Sequence, residues 1–84
     1  MAEGAPRPAA VVDCLGLECP IPVFHARDAI FDLKEGEVLE VLADDPQAPT
    51  DLESWARRDG HKVLSIATEK RAFRILIRRG NLDG

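Results

Sequence analysis

The sequence is poor in cysteine and has no long apolar run. Two cysteines among 84 residues are too few for the disulfide framework of a small secreted domain. The apolar runs, such as residues 9–12, are only a few residues long, whereas a membrane span needs about 20. Residues 1–8 lack the apolar stretch of a signal peptide. These absences predict a cytoplasmic protein whose cysteines are either chemically active or simply buried.

The sequence also lacks an excess of positive charge. Its formal net charge is −4, which gives no overall attraction to nucleic acid or to anionic lipid. Only 5% of the residues are aromatic, so direct nucleic-acid binding by base stacking is disfavoured. We interpret the basic residues of the C-terminal half as solvated, with a docking patch for an acidic partner or a phosphate-rich substrate as the alternative. They are Arg57, Arg58, Lys62, Lys70, Arg71, Arg74, Arg78 and Arg79.

A chain of 84 residues predicts one domain with a thin hydrophobic core. We expect residues 1–9 to form a flexible N-terminal tail, residues 10–80 to form the domain, and residues 81–84 to form a C-terminal tail. A monomer is favoured, although the sequence does not determine the oligomeric state.

Two helices are predicted from apolar residues that recur three or four positions apart. The first runs from Pro20 to about Leu33. The second starts at Asp44-Asp45-Pro46, where an aspartate would cap the helix and the proline would occupy its first turn. It ends near Asp59, and Trp55 lies on its buried stripe. We therefore assign Trp55 to the core and not to ligand stacking.

Four short segments have the pattern of β-strands, at residues 10–15, 38–43, 62–68 and 72–79. The second is nearly all apolar, which is typical of a central strand. A helix separates the first two strands, so we expect them to be parallel, and the last two should form an antiparallel hairpin. The order β-α-β-α-β-β predicts an α+β fold, a two-layer sandwich in which both helices cover one face of a mixed four-stranded sheet.

The segment Cys19-Pro20-Ile21-Pro22 is the most informative for chemistry. A residue before proline is kept out of the α region, so Cys19 is predicted to be the N-cap of the first helix. Because the two prolines have no N–H, Ile21 would offer the remaining first-turn donor to the Cys19 sulfur. The positive end of the helix dipole would lower the thiol pKa, although Glu18 and Asp13 would oppose ionisation. From the residues alone, a nucleophile and a small buried cysteine are about equally supported.

The run Gly16-Leu17-Glu18-Cys19-Pro20-Ile21-Pro22 resembles the Cys-Pro-x-Pro signature of the TusA/SirA sulfur-carrier family. The resemblance covers about residues 11–79, with further landmarks in the same order. They are Gly36 before Glu37-Val38-Leu39, Asp44-Asp45-Pro46, Trp55, Gly60-His61 and Ile77-Arg78-Arg79-Gly80. The chain differs from the family pattern at Glu18, where the best-known members carry arginine, and at Cys14, a second thiol that many relatives lack.

This resemblance implies the same sandwich fold and a sulfur carrier that holds sulfane sulfur as a persulfide on Cys19. Such a carrier would require no cofactor. The partners would be a donor, such as a cysteine desulfurase or a rhodanese-like protein, and an acceptor in tRNA thiolation or sulfur metabolism. Turnover would come from those partners, so the chain would act as a sulfurtransferase only together with them.

Cys14 has two interpretations, of which a core-facing strand residue is favoured. The other is a resolving thiol that forms a disulfide with Cys19, which requires Cα atoms about 4.4–6.8 Å apart. A dithiol redox or regulatory module using Cys14 and Cys19 is therefore a second hypothesis, and a nucleic-acid or protein-binding adaptor is a third. A metal site that includes His25 is disfavoured by the spacing. His25 should lie on the surface of the first helix and His61 at the start of the third strand.

Overall fold

A four-stranded sheet covered on one face by two helices makes up the protein. The computed structural model describes residues 7–81, so most of the predicted tails at residues 1–9 and 81–84 lies outside the described residues. The elements are β1 (Ala10–Cys14), α1 (Ile21–Phe31), β2 (Val38–Ala43), α2 (Ala48–Arg58), β3 (Lys62–Glu69) and β4 (Ala72–Arg78). Within residues 7–81 neither helix is long and apolar enough to cross a membrane.

The strand order in the sheet is β1-β2-β4-β3. β1 and β2 are parallel, and their register runs from Ala10 opposite Leu39 to Cys14 opposite Ala43. β4 is antiparallel to both of its neighbours, β2 and β3. The predicted mixed sheet, the parallel β1–β2 pair and the β3–β4 hairpin are therefore confirmed.

The core lies between the helices and one face of the sheet. Alternate residues of β2 and β4 point into it, so Leu39, Val41, Ile75 and Ile77 are fully buried. Each helix contributes a stripe of buried apolar side chains, as the three- and four-residue spacing predicts. These residues are Val23, Ala26 and Ile30 in α1 and Ala48, Leu52, Trp55 and Ala56 in α2. Burial of these apolar side chains is the main source of stability for so small a sheet.

Both helices are shorter than predicted. α1 ends at Phe31, because the Asp32 N–H bonds to the Ala29 carbonyl three residues back and tightens the last turn. Leu33 is still buried, so it belongs to the core without being helical. The predicted start of α2 at residues 44–46 is wrong, since the helix begins at Ala48.

The start of β3 is fixed by a contact with the segment that follows β4. Gly60 follows α2 with φ +85°, a left-handed conformation that glycine adopts at helix ends. His61 is buried at the start of β3, as predicted, and its Nδ1 accepts a hydrogen bond of 2.9 Å from the Gly80 N–H. Its ring centroid lies 5.2 Å from that of Trp55. Desolvation lowers the pKa of His61, so the neutral ring is favoured as an acceptor.

Candidate functional site

The loop between β1 and α1 carries Cys19, and two aspartates from another loop hold its backbone. The Gly16 N–H donates to both carboxylate oxygens of Asp44, at 3.0 and 3.1 Å. The Cys19 N–H donates to Asp45 Oδ2 at 3.2 Å. Asp45 Oδ1 also accepts from the Gln47 N–H at 2.8 Å. The chain segment after β2 therefore fixes the position of the cysteine.

This arrangement corrects the predicted role of Asp44 and Asp45 as helix caps. The N-cap of α2 is Gln47, which makes no side-chain capping bond, and Pro49 occupies the first turn. The carboxylates turn instead towards N–H groups that lie 26 and 28 residues away in sequence. A short polar side chain after a strand suits capping and loop bridging equally well, so the local pattern did not distinguish the two.

The start of α1 also differs from the prediction. The N-cap is Pro20 and not Cys19, and the Cys19–Pro20 peptide bond is cis. The Ile21 N–H donates to the Glu18 carbonyl at 2.9 Å and is therefore unavailable to the Cys19 sulfur. The N–H groups of Val23 and Phe24 bond to the Pro20 carbonyl. The predicted hydrogen bond from Ile21 to the sulfur is thus replaced by a turn of main chain.

The Cys19 sulfur lies beside carboxylates. Cys19 is half-buried, and two carboxylates act on its thiol, those of Asp45 and of Asp51 in the first turn of α2. Burial, the interaction with Asp51 and the charge of Asp45, with a further contribution from Cys14, raise the pKa of Cys19 to about 11. The predicted lowering of this pKa is wrong, because desolvation and two nearby negative charges oppose the thiolate.

The sequence contains no indication of Asp51, and the acidic residues predicted to oppose ionisation of Cys19, Glu18 and Asp13, are not the ones that do so. Glu18 is exposed and contributes nothing that raises the Cys19 pKa, whereas Asp13 acts on the pKa of Cys14. Asp51 lies 32 positions after Cys19 in sequence, so only the docking of the Cys19 loop on α2 brings them together. An acidic residue in a first helical turn is common enough that it carried no signal of its own.

Cys14 is fully buried at the end of β1, as its core-facing interpretation predicts. Both cysteines are free thiols, and burial raises the pKa of Cys14. His25 is exposed on α1. Within residues 7–81, no three side chains of His, Cys, Asp or Glu are grouped so that they could hold a metal ion.

A groove of about 320 Å³ lies between α1 and α2 beside the cysteine. Pro20 and Asp51 form part of its wall, so it adjoins the groups that surround the sulfur. Arg27 and Arg58 also line it, and the Arg27 guanidinium carbon is 5.7 Å from the centroid of the Phe24 ring. The site thus combines one accessible thiol, two carboxylates and a groove with apolar and cationic walls.

Comparison with known proteins places this cysteine loop in a family. The family profile described as sulfurtransferase TusA matches residues 10–79. The chain belongs to this TusA family. A relative from Neisseria meningitidis serogroup A, named as a predicted sulfur carrier protein, is 36% identical over 66 residues, covering 79% of this chain and 89% of the relative.

One further relative and one solved structure are also similar to this TusA family member. YrkF of Bacillus subtilis, also named as a predicted sulfur carrier protein, is 41% identical over 70 residues, covering 83% of this chain. The chain spans only 38% of the length of YrkF. The crystal structure of the SirA-like protein from Desulfitobacterium hafniense superposes with a TM-score of 0.75 at 28% identity, covering 86% of this chain and 99% of that one. The predicted TusA/SirA resemblance and fold are confirmed.

Replacing Asp45 should loosen the cysteine loop. Asp45→Ala removes the acceptor of the Cys19 and Gln47 N–H groups, and we expect a loss of about 1–3 kcal/mol in the free energy of unfolding. Asp45→Asn keeps an acceptor oxygen and should lose less. Urea denaturation measures both, with Asp28→Ala on the exposed side of α1 as the control. Equal losses for Asp45→Ala and Asp28→Ala would contradict the anchoring role.

Proposed function

We propose that the protein carries sulfane sulfur as a persulfide on Cys19 and relays it between partner proteins. The observation that supports this most is the unequal exposure of the two thiols. Cys19 reaches the surface at the start of α1, whereas Cys14 is fully buried. The proposal agrees with the TusA family membership and with the names of the relatives.

The chemistry requires one nucleophilic sulfur and no resident cofactor. In loading, the Cys19 sulfur attacks the terminal sulfur of a donor persulfide, the S–S bond of the donor breaks, and the donor thiolate leaves and is protonated. In delivery, a thiol of the acceptor protein loses its proton and attacks the outer sulfur, a new S–S bond forms on the acceptor, and Cys19 leaves as a thiolate that regains a proton. Each step exchanges one S–S bond, so no external oxidant or reductant is needed.

The surface around Cys19 has features of a protein-docking site. Ile21 and Phe24 are 41% and 49% exposed on α1, although both are large apolar residues. Arg27 and Arg58 lie in the adjoining groove, where they could pair with acidic side chains of a partner. Mixed apolar and cationic character suits a transient partner, because such an interface must also release it.

We propose a cysteine desulfurase or a rhodanese-like protein as the donor and a protein of tRNA thiolation or sulfur metabolism as the acceptor. Persulfide relays of this kind use free thiols, which persist in the reducing cytoplasm. We therefore place the protein in that compartment. The dithiol redox alternative has less support, because the buried Cys14 is not accessible to an external reductant.

Transfer of labelled sulfur tests the proposal. The protein is incubated with a cysteine desulfurase and ³⁵S-cysteine, and bound label is measured after removal of the donor. We expect Cys19→Ser to lose essentially all label and Cys14→Ala to retain it, since Cys14 lies in the core. The Cys14→Ala variant is the matched control, because it also leaves a single thiol. Equal loading of Cys19→Ser and the wild type would show that the proposal is wrong.

A further inference from the structure

The groove between α1 and α2 has groups of opposite charge at its two ends. Each helix connects two parallel strands, so both helices run back along the sheet in the same direction. Pro20 and Asp51 line the groove at the N-terminal ends of the two helices. Arg27 and Arg58 line it seven residues further along each helix, which corresponds to about 10 Å. The groove therefore has a carboxylate at the end next to Cys19 and two arginines at the other end.

The size and the floor of the groove suit a small molecule. Val23 and Trp55 line it and are only 9% and 2% exposed, so its floor is apolar. Its volume of about 320 Å³ is within the roughly 300–1,000 Å³ of small-molecule sites, whereas a stable protein interface covers about 800 Å² on each partner. A peptide of two or three residues spans about 7–10 Å when extended, which matches the distance between the two ends of the groove.

The two arginines of the groove are available to bind an anion. Among the described residues 7–81 neither of them forms an ion pair, whereas Arg57, next to Arg58 in sequence, pairs with Glu53 at 3.9 Å. The Arg27 guanidinium lies over the Phe24 ring, a contact that leaves its N–H donors free for an acceptor. Because a guanidinium presents these donors in a fork that matches a carboxylate, each arginine can bind one carboxylate.

We propose that this groove binds a small peptide persulfide whose carboxylates lie away from its sulfur, and that Cys19 takes up sulfane sulfur from it directly. Arg27 and Arg58 bind the carboxylates, and the outer sulfur of the persulfide lies at the Pro20 end of the groove. The inference rests on the proposed function of Cys19 as the sulfur-bearing residue. It adds to that function the chemical class of a donor that is not a protein.

The charges along the groove determine the direction in which such a molecule binds. A ligand carboxylate at the N-terminal end would face the Asp51 carboxylate and be repelled, whereas at the other end it meets two guanidinium groups. The sulfur of the ligand then lies at the end lined by Pro20, the residue bonded to Cys19. A thiol compound without carboxylates gains neither contact, so the groove distinguishes donors by their charge.

The transfer step requires no further reactant. The Cys19 sulfur attacks the outer sulfur of the peptide persulfide, a new S–S bond forms on Cys19, and the S–S bond of the donor breaks. The peptide thiolate leaves and takes up the proton that Cys19 lost, so the products are a Cys19 persulfide and a peptide thiol. One S–S bond is exchanged for another, and no oxidant or reductant takes part.

Loading from glutathione persulfide and from its diethyl ester tests the inference, because the ester lacks both carboxylates. Rates are measured by intact mass at neutral pH in Cys14→Ala protein, which has one thiol. We expect Arg27→Gln and Arg58→Gln each to slow loading from glutathione persulfide about threefold, and the double variant to slow it about tenfold. Loading from the diethyl ester should be the same in all of these proteins.

Arg57→Gln is the matched control, since it removes the same charge from α2 at a position that does not line the groove. It should load from both compounds at the rate of the parent protein. Arg27 and Arg58 are both exposed, so their variants should keep the melting curve of the parent protein, as measured by circular dichroism. A slower rate is then an effect on binding and not on folding.

Binding without reaction is measured by ¹H–¹⁵N NMR with S-methylglutathione, which has both carboxylates but no transferable sulfur. We expect this compound at millimolar concentration to shift the Nε–H signals of Arg27 and Arg58 and to leave that of Arg57 in place. The absence of any shift at the two groove arginines would overturn the inference.

Unchanged loading from glutathione persulfide in the double variant would also overturn it, and so would an equal loss with the persulfide and with its ester. A double variant that lost loading only from a cysteine desulfurase would do the same, because the groove would then receive a protein. In each case the carrier function stands as long as the desulfurase loads the wild type and not Cys19→Ser. Loading of Cys19→Ser would instead overturn the carrier function itself.

Discussion

Cys19 should react with iodoacetamide about tenfold faster for each pH unit between pH 7 and pH 10, with no plateau in that range. Its pKa is raised to about 11, because burial and the Asp51 and Asp45 carboxylates disfavour the thiolate. Below the pKa the thiolate fraction falls tenfold per pH unit, so the rate should change about 1,000-fold over three units. The profile is measured by quenching the alkylation of Cys14→Ala protein at timed intervals and quantifying the product by intact mass.

An unperturbed thiol is the reference for that profile. Glutathione, with a thiol pKa near the ordinary value of about 8.5, should level off above pH 9 under the same conditions. A plateau for Cys19 below pH 9 would mean that the helix dipole prevails after all. That outcome would restore the lowered pKa that the sequence predicted.

Trp55→Ala should destabilise the protein by about 3–5 kcal/mol. Trp55 is only 2% exposed, its ring packs at a tilt against that of His61, and its Nε1 donates to Asp59 Oδ2 at 3.0 Å. Truncation leaves a cavity in a core that an 84-residue chain has little means to refill. Small domains have a total stability of about 5 kcal/mol or slightly more, so a large fraction of the variant should be unfolded at 25 °C.

Urea denaturation followed by circular dichroism measures this loss, since the variant has no tryptophan for fluorescence. Trp55→Phe keeps a ring in the core but loses the bond to Asp59 and part of the buried ring volume, so it should lose less than Trp55→Ala, about 1–2 kcal/mol. Phe31→Ala, which truncates a side chain that is 63% exposed on α1, is the surface control. If Trp55→Ala lost no more than Phe31→Ala, the tryptophan would not be a core residue.

The fold could be predicted from sequence because each element has a local pattern. The apolar run from Val38 to Ala43 predicted both bounds of β2 correctly, and the alternation in residues 72–79 predicted the bounds of β4 to within one residue. The order of elements then restricted the topology to a few arrangements. The helix ends were less well predicted, because turns such as Asp32 to Ala29 depend on hydrogen bonds that many sequences allow.

The environment of the sulfur could not be predicted in the same way. Sequence neighbours of Cys19 suggested a helix dipole opposed by Glu18 and Asp13, and these are the charges that a local analysis can count. The decisive groups, Asp45 and Asp51, come from a loop and a helix that pack on the cysteine loop from another part of the chain. A thiol pKa depends on three-dimensional distances and burial, which sequence spacing does not encode.

The strand directions place the start of β1 and the end of β4 at the same end of the sheet, which is opposite to the end that carries the sulfur. Ala10 at the start of β1 pairs with Leu39, which pairs on its other side with Ile77 near the end of β4. Cys19 follows the far end of β1, beyond Cys14. An affinity tag, a surface tether or a fused domain attached before β1 or after β4 would therefore start from the end of the sheet away from the thiol. The domain can then be immobilised or built into a larger polypeptide while Cys19 stays accessible to partner proteins.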